Sequence, residues 1–304
     1  MYRTLMVPLD GSAVGECALP LAMAIAQRAD ALIDLVHVCT PPAAHDLLLR
    51  FRQEDEDISP QASSRLYLNQ LADRLAAAAQ VAITTTVLDG EVAATLRSHA
   101  IATGTDLVVM TTRGRGSLAR ATLGSVADEL IRTMSLPLLL THPVAYDTDQ
   151  ALPVIAPGRR KILVPLDGSV LAEMVLETAV SIGSLFDAEY TLLQVIDPPM
   201  LGYALTARAV QLDEQAVDIW RGEVLTYLDA VADRLRGRGL SVTTDVAFGY
   251  PPHAILMYAN MHAADLIVMA THGRSGMARI LLGSTAGTII REAHIPVLVK
   301  RPAT

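Results

Sequence analysis

The chain carries nearly the same message twice. Val7-Pro8-Leu9-Asp10-Gly11-Ser12 returns as Val164-Pro165-Leu166-Asp167-Gly168-Ser169, and Gly114 followed by Gly124-Ser125 returns as Gly273 followed by Gly283-Ser284. Asp10 and Asp167 lie 157 positions apart, and Gly114 and Gly273 lie 159 apart. A period this long marks a duplicated domain rather than a solenoid unit, and the small difference between the offsets belongs to loop insertions. With 304 residues, 51% of them hydrophobic, each copy can bury its own core. The reading is a first domain over 1–145, a linker over 146–159 and a second domain over 160–304. The stretch from Val144 to Arg159, with Asp147, Asp149, Pro153 and Pro157, has no periodicity and supplies that linker.

Within each copy short apolar runs alternate with helical stretches. Leu5 to Val7, Leu32 to Val38, Ile83 to Leu88, Leu107 to Met110 and Leu138 to Leu140 have the length and flanks of buried parallel strands. Their counterparts are Ile162 to Val164, Tyr190 to Ile196, Val242 to Phe248, Leu266 to Met269 and Val297 to Val299. In the first copy the spacing predicts helices over Val14 to Arg28, Ser63 to Ala79, Glu91 to Thr103 and Ser125 to Met134, with a kink at Pro20, where the second copy has Glu177. Strands joined by helices in this order make a doubly wound α/β sheet. The copies diverge most after the second strand, where the first carries the acidic run Glu54-Asp55-Glu56-Asp57, which reads as solvated surface. They return to register at Tyr67-Leu68 and Ala72-Asp73-Arg74-Leu75, matched by Tyr227-Leu228 and Ala232-Asp233-Arg234-Leu235.

Polar chemistry gathers where strands end and helices begin, the place where open α/β sheets bind ligands. Asp10 and Asp167 follow the first strand of each copy and precede a Gly-Ser pair that can turn the chain and cap a helix through Ser12 and Ser169. Such a carboxylate either serves that turn or accepts hydrogen bonds from ribose hydroxyls or an adenine amino group. After the fourth strand come Thr111-Thr112-Arg113-Gly114-Arg115-Gly116 and Ala270-Thr271-His272-Gly273-Arg274-Ser275-Gly276. Glycines there let the backbone approach an anion. Gly124-Ser125 and Gly283-Ser284 then open helices whose first N–H groups, dipole and serine hydroxyl suit phosphate.

At these residues the chain resembles the universal stress protein family in its tandem form. The resemblance implies two domains, each a five-stranded parallel sheet of order 3-2-1-4-5 flanked by helices, with ATP lying across the strand ends and Mg2+ as an optional companion. It further implies that Asp10 and Asp167 contact adenosine, that the backbone at Val38 and Val195 meets adenine, and that Gly114, Gly124 and Ser125, with Gly273, Gly283 and Ser284, hold phosphates. Met110 and Met269 at the strand ends, and Gly116 and Gly276 in the turns, complete the candidate nucleotide-contacting set. The first glycine of the family's pattern is replaced by Thr111 in one copy and Ala270 in the other. Dimerisation through the last strands, Pro137 to Thr141 and Pro296 to Lys300, is also implied, within one chain or between two.

Other chemistries find little support. The net charge of −8 argues against a general nucleic-acid or anionic-membrane surface. Lys161 and Lys300 are the only lysines, so phosphate contacts fall to backbone N–H groups and arginine. Apolar stretches end well short of the roughly 18 residues of a membrane span, and Met1-Tyr2-Arg3-Thr4 enters a strand without a signal-peptide core. Cys17 and Cys39 are too few for a disulfide framework, so a soluble, cytoplasmic protein is expected. There is no GxxxxGK[ST] loop, no HExxH and no metal-ligand spacing among the eight histidines. His37 reads as a satisfied core or edge residue, and His272 is exchanged for Arg113 in the other copy, which a required catalytic base would not tolerate. The expectation is therefore a non-enzymatic ATP-binding regulator of the stress response. A nucleotide-free dimeric scaffold and a slow ATPase are the alternatives; the partner protein and the pathway are not encoded in any motif.

Overall fold

Every apolar run read as a strand forms one, although Ile83–Asp89, expected to be buried, has no buried residue because it has a neighbour on one side only. The computed structural model describes residues 2–40, 59–113, 123–142, 159–197, 214–271 and 282–301, and the chain divides into two units, Met1–Ala156 and Pro157–Thr304. In the first, β1 (Thr4–Pro8), β2 (Leu32–Cys39), β3 (Ile83–Asp89), β4 (Leu107–Thr111) and β5 (Leu138–Thr141) lie in the order β3-β2-β1-β4-β5. In the second, β6 (Lys161–Pro165), β7 (Glu189–Ile196), β8 (Ser241–Phe248), β9 (Leu266–Ala270) and β10 (Val297–Lys300) repeat that order as β8-β7-β6-β9-β10. Neighbouring strands within each unit run parallel. The order 3-2-1-4-5 follows from winding two crossovers one way from the central strand and the next two the other way. The reversal falls between β1 and β4, and between β6 and β9. The linker read at 146–159 lies outside the described residues except for Arg159, as does the acidic run at 54–57.

One helical expectation is corrected. The stretch from Val14 to Arg28 is two helices, α1 (Ala13–Glu16) and α2 (Leu19–Ala29), and the second unit breaks at the same place into α6 (Val170–Glu173) and α7 (Leu176–Gly183). Proline is not the cause, because Glu177 stands at the position of Pro20 in the second unit. Cys17 N donates to Val14 O, Ala18 N to Gly15 O and Val175 N to Ala172 O, so tight i to i−3 bonds close the first turn in both units. Pro20 occupies the start of α2, where its missing N–H costs nothing. Both α2 and the short 3-10 turn Ser184–Phe186 after α7 end on an aspartate in the left-handed region, Asp30 at φ 51° and Asp187 at φ 47°.

The remaining helices are α3 (Pro60–Ala78), α4 (Val92–Ala102) and α5 (Ser125–Thr133) in the first unit, and α8 (Glu214–Arg236), α9 (Pro251–Met261) and α10 (Ser284–Glu292) in the second. Alternation along β3 assigns them to faces. Thr85 donates to Asn69 of α3 at 3.0 Å, whereas Thr84 and Thr86 point the other way, to Asp34 of β2 at 3.2 and 2.9 Å. Asp34 also meets His99 Nε2 of α4 at 2.6 Å, so α3 and α4 cover opposite faces. In the second unit Thr244 donates to Asp229 of α8, and Tyr258 of α9 donates to Asp245 on the opposite face.

The central strands carry the core. β4 is buried along its whole length, and Leu5, Met6, Ile33, Leu35 and Leu107 are fully enclosed, as expected of parallel strands covered on both faces. Tyr190 takes the place of Ile33 in the second unit, and its ring fills the space above Gly183, which stands where the first unit has Ala26. Among the described residues no helix is long and apolar enough to cross a membrane.

Candidate functional site

Immediately beyond β1 the chain turns through Gly11, whose φ of 75° requires glycine, and Gly168 repeats this beyond β6 at φ 82°. The aspartate before each glycine holds the turn. Asp10 Oδ1 accepts from Ser12 N at 3.0 Å and from Ser12 Oγ at 2.6 Å, and Ser12 Oγ accepts from Gly15 N at 3.1 Å as the N-cap of α1. The second unit reproduces these bonds: Asp167 Oδ1 accepts from Ser169 N at 3.0 Å and Oγ at 2.6 Å, and Ser169 Oγ accepts from Ala172 N at 3.2 Å. The turn and the cap therefore engage one carboxylate oxygen of each aspartate. Both carboxylates sit at the C-terminal edge of a sheet, beside the switch in winding direction.

Three neighbouring strands bring the other candidates to this edge. Val38 is half-buried near the end of β2 and Met110 is buried near the end of β4; Val195 and Met269 occupy the same places in β7 and β9. Gly124 begins α5 and donates its N–H to Thr112 O at 2.8 Å, while Gly283 begins α10 and donates to Thr271 O at 3.1 Å. A Cβ at Gly124 would stand 3.2 Å from Thr112 O, so the helix start approaches the strand end too closely for a larger residue without displacement. Neither Gly124 nor Gly283 has a side-chain cap, and Ser125 and Ser284 are exposed in the first turn. Each unit thus presents a helix N-terminus with an exposed hydroxyl at the strand-end edge. Gly114, Gly116, Gly273 and Gly276 lie outside the described residues.

The units differ around this shared arrangement. Thr111 is buried and donates its hydroxyl to Arg113 O at 2.5 Å, closing its own turn, whereas Ala270 has no such group. His37 meets Leu9 O through Nδ1 at 2.8 Å, which gives this strand histidine its polar partner. Gln194 replaces it in the second unit and lies beside Gly168.

One set of residues at the edge was not singled out by the motifs. Glu16 of α1 accepts from the Tyr67 hydroxyl of α3 at 3.0 Å and from Arg74 at 3.1 Å. Glu173 of α6 accepts from Tyr227 of α8 at 3.1 Å and from Arg234. Burial first, and then the adjoining glutamate, pushes both phenols well above their usual range, so they stay protonated as donors. The available signal was the match of Tyr67 and Arg74 with Tyr227 and Arg234, seven residues apart and hence on one helix face, together with the repeated Glu16 and Glu173.

The two cysteines lack the setting of a reactive thiolate. Burial and the neighbouring Glu16 push the Cys17 thiol up, away from the reactive thiolate, and Cys39 is buried. Among the described residues no three His, Cys, Asp or Glu side chains are grouped to hold a metal ion.

The sequence profile of the universal stress protein family matches the chain twice, over residues 1–142 and 158–301. The chain belongs to the universal stress protein family. It is 27% identical to a universal stress protein of Mycolicibacterium smegmatis over 314 aligned residues, covering 98% of this chain and 97% of that one, so the tandem form extends through both proteins. Universal stress protein MJ0531 of Methanocaldococcus jannaschii is 35% identical over 145 residues, 47% of this chain and 83% of its own. The crystal structure of a universal stress protein from Archaeoglobus fulgidus superposes with a TM-score of 0.69 over 99% of this chain and 98% of that one, at 18% identity, and shares the fold.

Proposed function

We propose that this universal stress protein binds ATP at the strand-end edge of one or both units and acts through binding rather than turnover. The observation that carries the reading is the duplicated pairing of an aspartate turn with an uncapped Gly-Ser helix start on one sheet edge. The helix N-terminus supplies N–H groups and positive dipole to phosphate oxygens, and Ser125 or Ser284 adds a hydroxyl donor. Asp10 or Asp167 supplies an acceptor for adenosine, and the backbone at Val38 or Val195 lies where a base would meet β2 or β7. Mg2+, if carried in with the nucleotide, would offset triphosphate charge at the helix start.

Turnover would need a base or metal cage placed on the attacking water, and the histidine of the second phosphate turn, His272, is Arg113 in the first, so the two copies share no such base there. The function is accordingly assigned to a nucleotide-dependent conformation or partner surface. Thr111 favours a second reading for the first unit alone. Its side chain fills the turn that Ala270 leaves roomier, which supports weaker nucleotide binding there or none.

Titration calorimetry with ATP tests the proposal. Gly283→Val places bulk where phosphates approach the backbone, while Ser284→Ala removes one hydroxyl worth about 0.5 to 1.5 kcal/mol. The expected result is a far larger loss of affinity for the glycine change, with ATP recovered intact after many minutes. Equal losses, or rapid phosphate release abolished by His272→Ala, would contradict it.

A further inference from the structure

We infer that Glu16, Tyr67 and Arg74, and likewise Glu173, Tyr227 and Arg234, are positioning clamps that hold the aspartate turns in the geometry a nucleoside meets. The ligand in this statement rests on the proposed nucleotide function; the clamp itself rests on geometry alone. α1 and α6 are four residues each, too short to be stable as isolated helices. They bury little: in α6 Val170 is 79% exposed, and only Ala172 is buried. Such a turn needs an external tether, and the glutamate provides it.

Hydrogen bonds joined by one step along the backbone lead from the long helix to the aspartate. Tyr227 and Arg234 of α8 hold the two oxygens of Glu173, the neighbouring Ala172 N–H is held by Ser169 Oγ, and that hydroxyl donates to Asp167 Oδ1. The first unit has the same path from Tyr67 and Arg74 through Glu16, Gly15 and Ser12 to Asp10. Arg74 and Arg234 are 64% and 60% exposed, so the ion pairs are solvent-screened and the half-buried tyrosines carry most of the restraint. Each phenol also feels the carboxylate of Asp10 or Asp167, which places it within electrostatic reach of the residue it is inferred to orient.

The test uses Tyr227→Phe, which keeps the ring and removes the hydroxyl. Hydrogen exchange at the Ser169 and Ala172 amides reads the turn without any ligand; the clamp requires exchange about three- to tenfold faster in the variant, with amides of β6 and β9 unchanged. ATP and inorganic tripolyphosphate are then titrated into chains carrying Gly124→Val, which blocks the first unit's helix start, so that the second site is read. ATP affinity is expected to fall about three- to tenfold with Tyr227→Phe and tripolyphosphate affinity to hold. Adding Tyr227→Phe to Asp167→Ala is expected to cost nothing further, because the tyrosine acts through the aspartate. Unchanged amide exchange overturns the clamp, as do additive losses or an equal loss for tripolyphosphate. Faster exchange in a chain whose wild type takes up no ATP would leave the clamp standing and remove the nucleotide reading.

Discussion

In the first unit the carboxylate between the sheet and α4 comes from Asp34 of β2, while in the second the carboxylate facing α9 comes from Asp245 of β8. Thr191 stands at the position of Asp34, Asp245 at that of Thr86 and Tyr258 at that of His99, so the exchange involves a whole set of partners. Asp34 is 4% exposed and its bonds go to Thr84, Thr86 and His99; moved one strand over, the carboxylate takes a phenol as donor. The Asp10 and Asp167 turns, by contrast, match bond for bond. A buried polar set can be replaced by any other that satisfies its members, whereas the strand-end turn takes the same form in both units.

Breaking the first set should have the largest effect. Asp34→Ala leaves His99, Thr84 and Thr86 without their acceptor and should cost the first unit about 3 kcal/mol or more, read as a shift of its urea transition while that of the second unit stays in place. Installing the second unit's solution in the first, with Asp34→Thr, Thr86→Asp and His99→Tyr together, should recover most of that loss. Failure of the triple variant to recover would show that the sets are not interchangeable.

A packing exchange gives the next largest effect. A Cβ at Gly183 would fall on the hydroxyl and ring of buried Tyr190, so Gly183→Ala should destabilise the second unit by about 1 to 3 kcal/mol. Adding Tyr190→Ile recreates the Ala26 and Ile33 pairing of the first unit and should restore much of the stability.

Alkali should also separate the units. Burial pushes the Tyr190 phenol from 10.0 up to about 12, and Tyr227 and Tyr258 are held above the usual range by burial and by their glutamate or aspartate acceptors. A raised phenol means that the unfolded chain loses its proton first. The stabilisation is therefore complete below about pH 10 and declines as pH rises through about 12. The second unit, with these three tyrosines, should unfold at lower pH than the first, which has Tyr2 and Tyr67 shifted in the same direction. Tyr190→Phe should narrow the gap in a pH titration followed by circular dichroism.

The smallest effect is expected at Gly15. A Cβ there would lie 2.7 Å from Asp10 Oδ1, yet Ala172 holds the equivalent position under the same aspartate bonds. The carboxylate can give way, and Gly15→Ala should change stability by no more than about 0.5 kcal/mol once the gain in helix propensity is included. A loss of several kcal/mol in thermal unfolding would show that the two turns are less alike than their bonds.

What could be read from sequence divides by range of interaction. Apolar runs such as Leu107 to Met110 revealed the strands, because a parallel strand buried on both faces leaves an unbroken apolar segment. The Asp-Gly-Ser turns and the Gly-Ser helix starts were legible for the same reason: each is set by residues within a few positions. The break between α1 and α2 was misplaced onto Pro20 because tight bonds from Cys17 and Ala18 carry no composition signal. Asp34 with His99, and Glu16 with Tyr67, join residues 65 and 51 positions apart, so they appear only once strand register and helix faces are fixed. For Asp34 the hint was a charged residue inside the apolar run Leu32 to Cys39, and for Glu16 it was the return of Glu16, Tyr67 and Arg74 as Glu173, Tyr227 and Arg234.

Native mass spectrometry of the full chain incubated with ATP tests the central claim most directly. The account predicts uptake of intact ATP, retained over many minutes without conversion to ADP, by wild type, and uptake clearly weakened in a folded chain carrying both Asp10→Ala and Asp167→Ala. Absence of ATP from the wild-type chain, or undiminished uptake by the double variant, would contradict it.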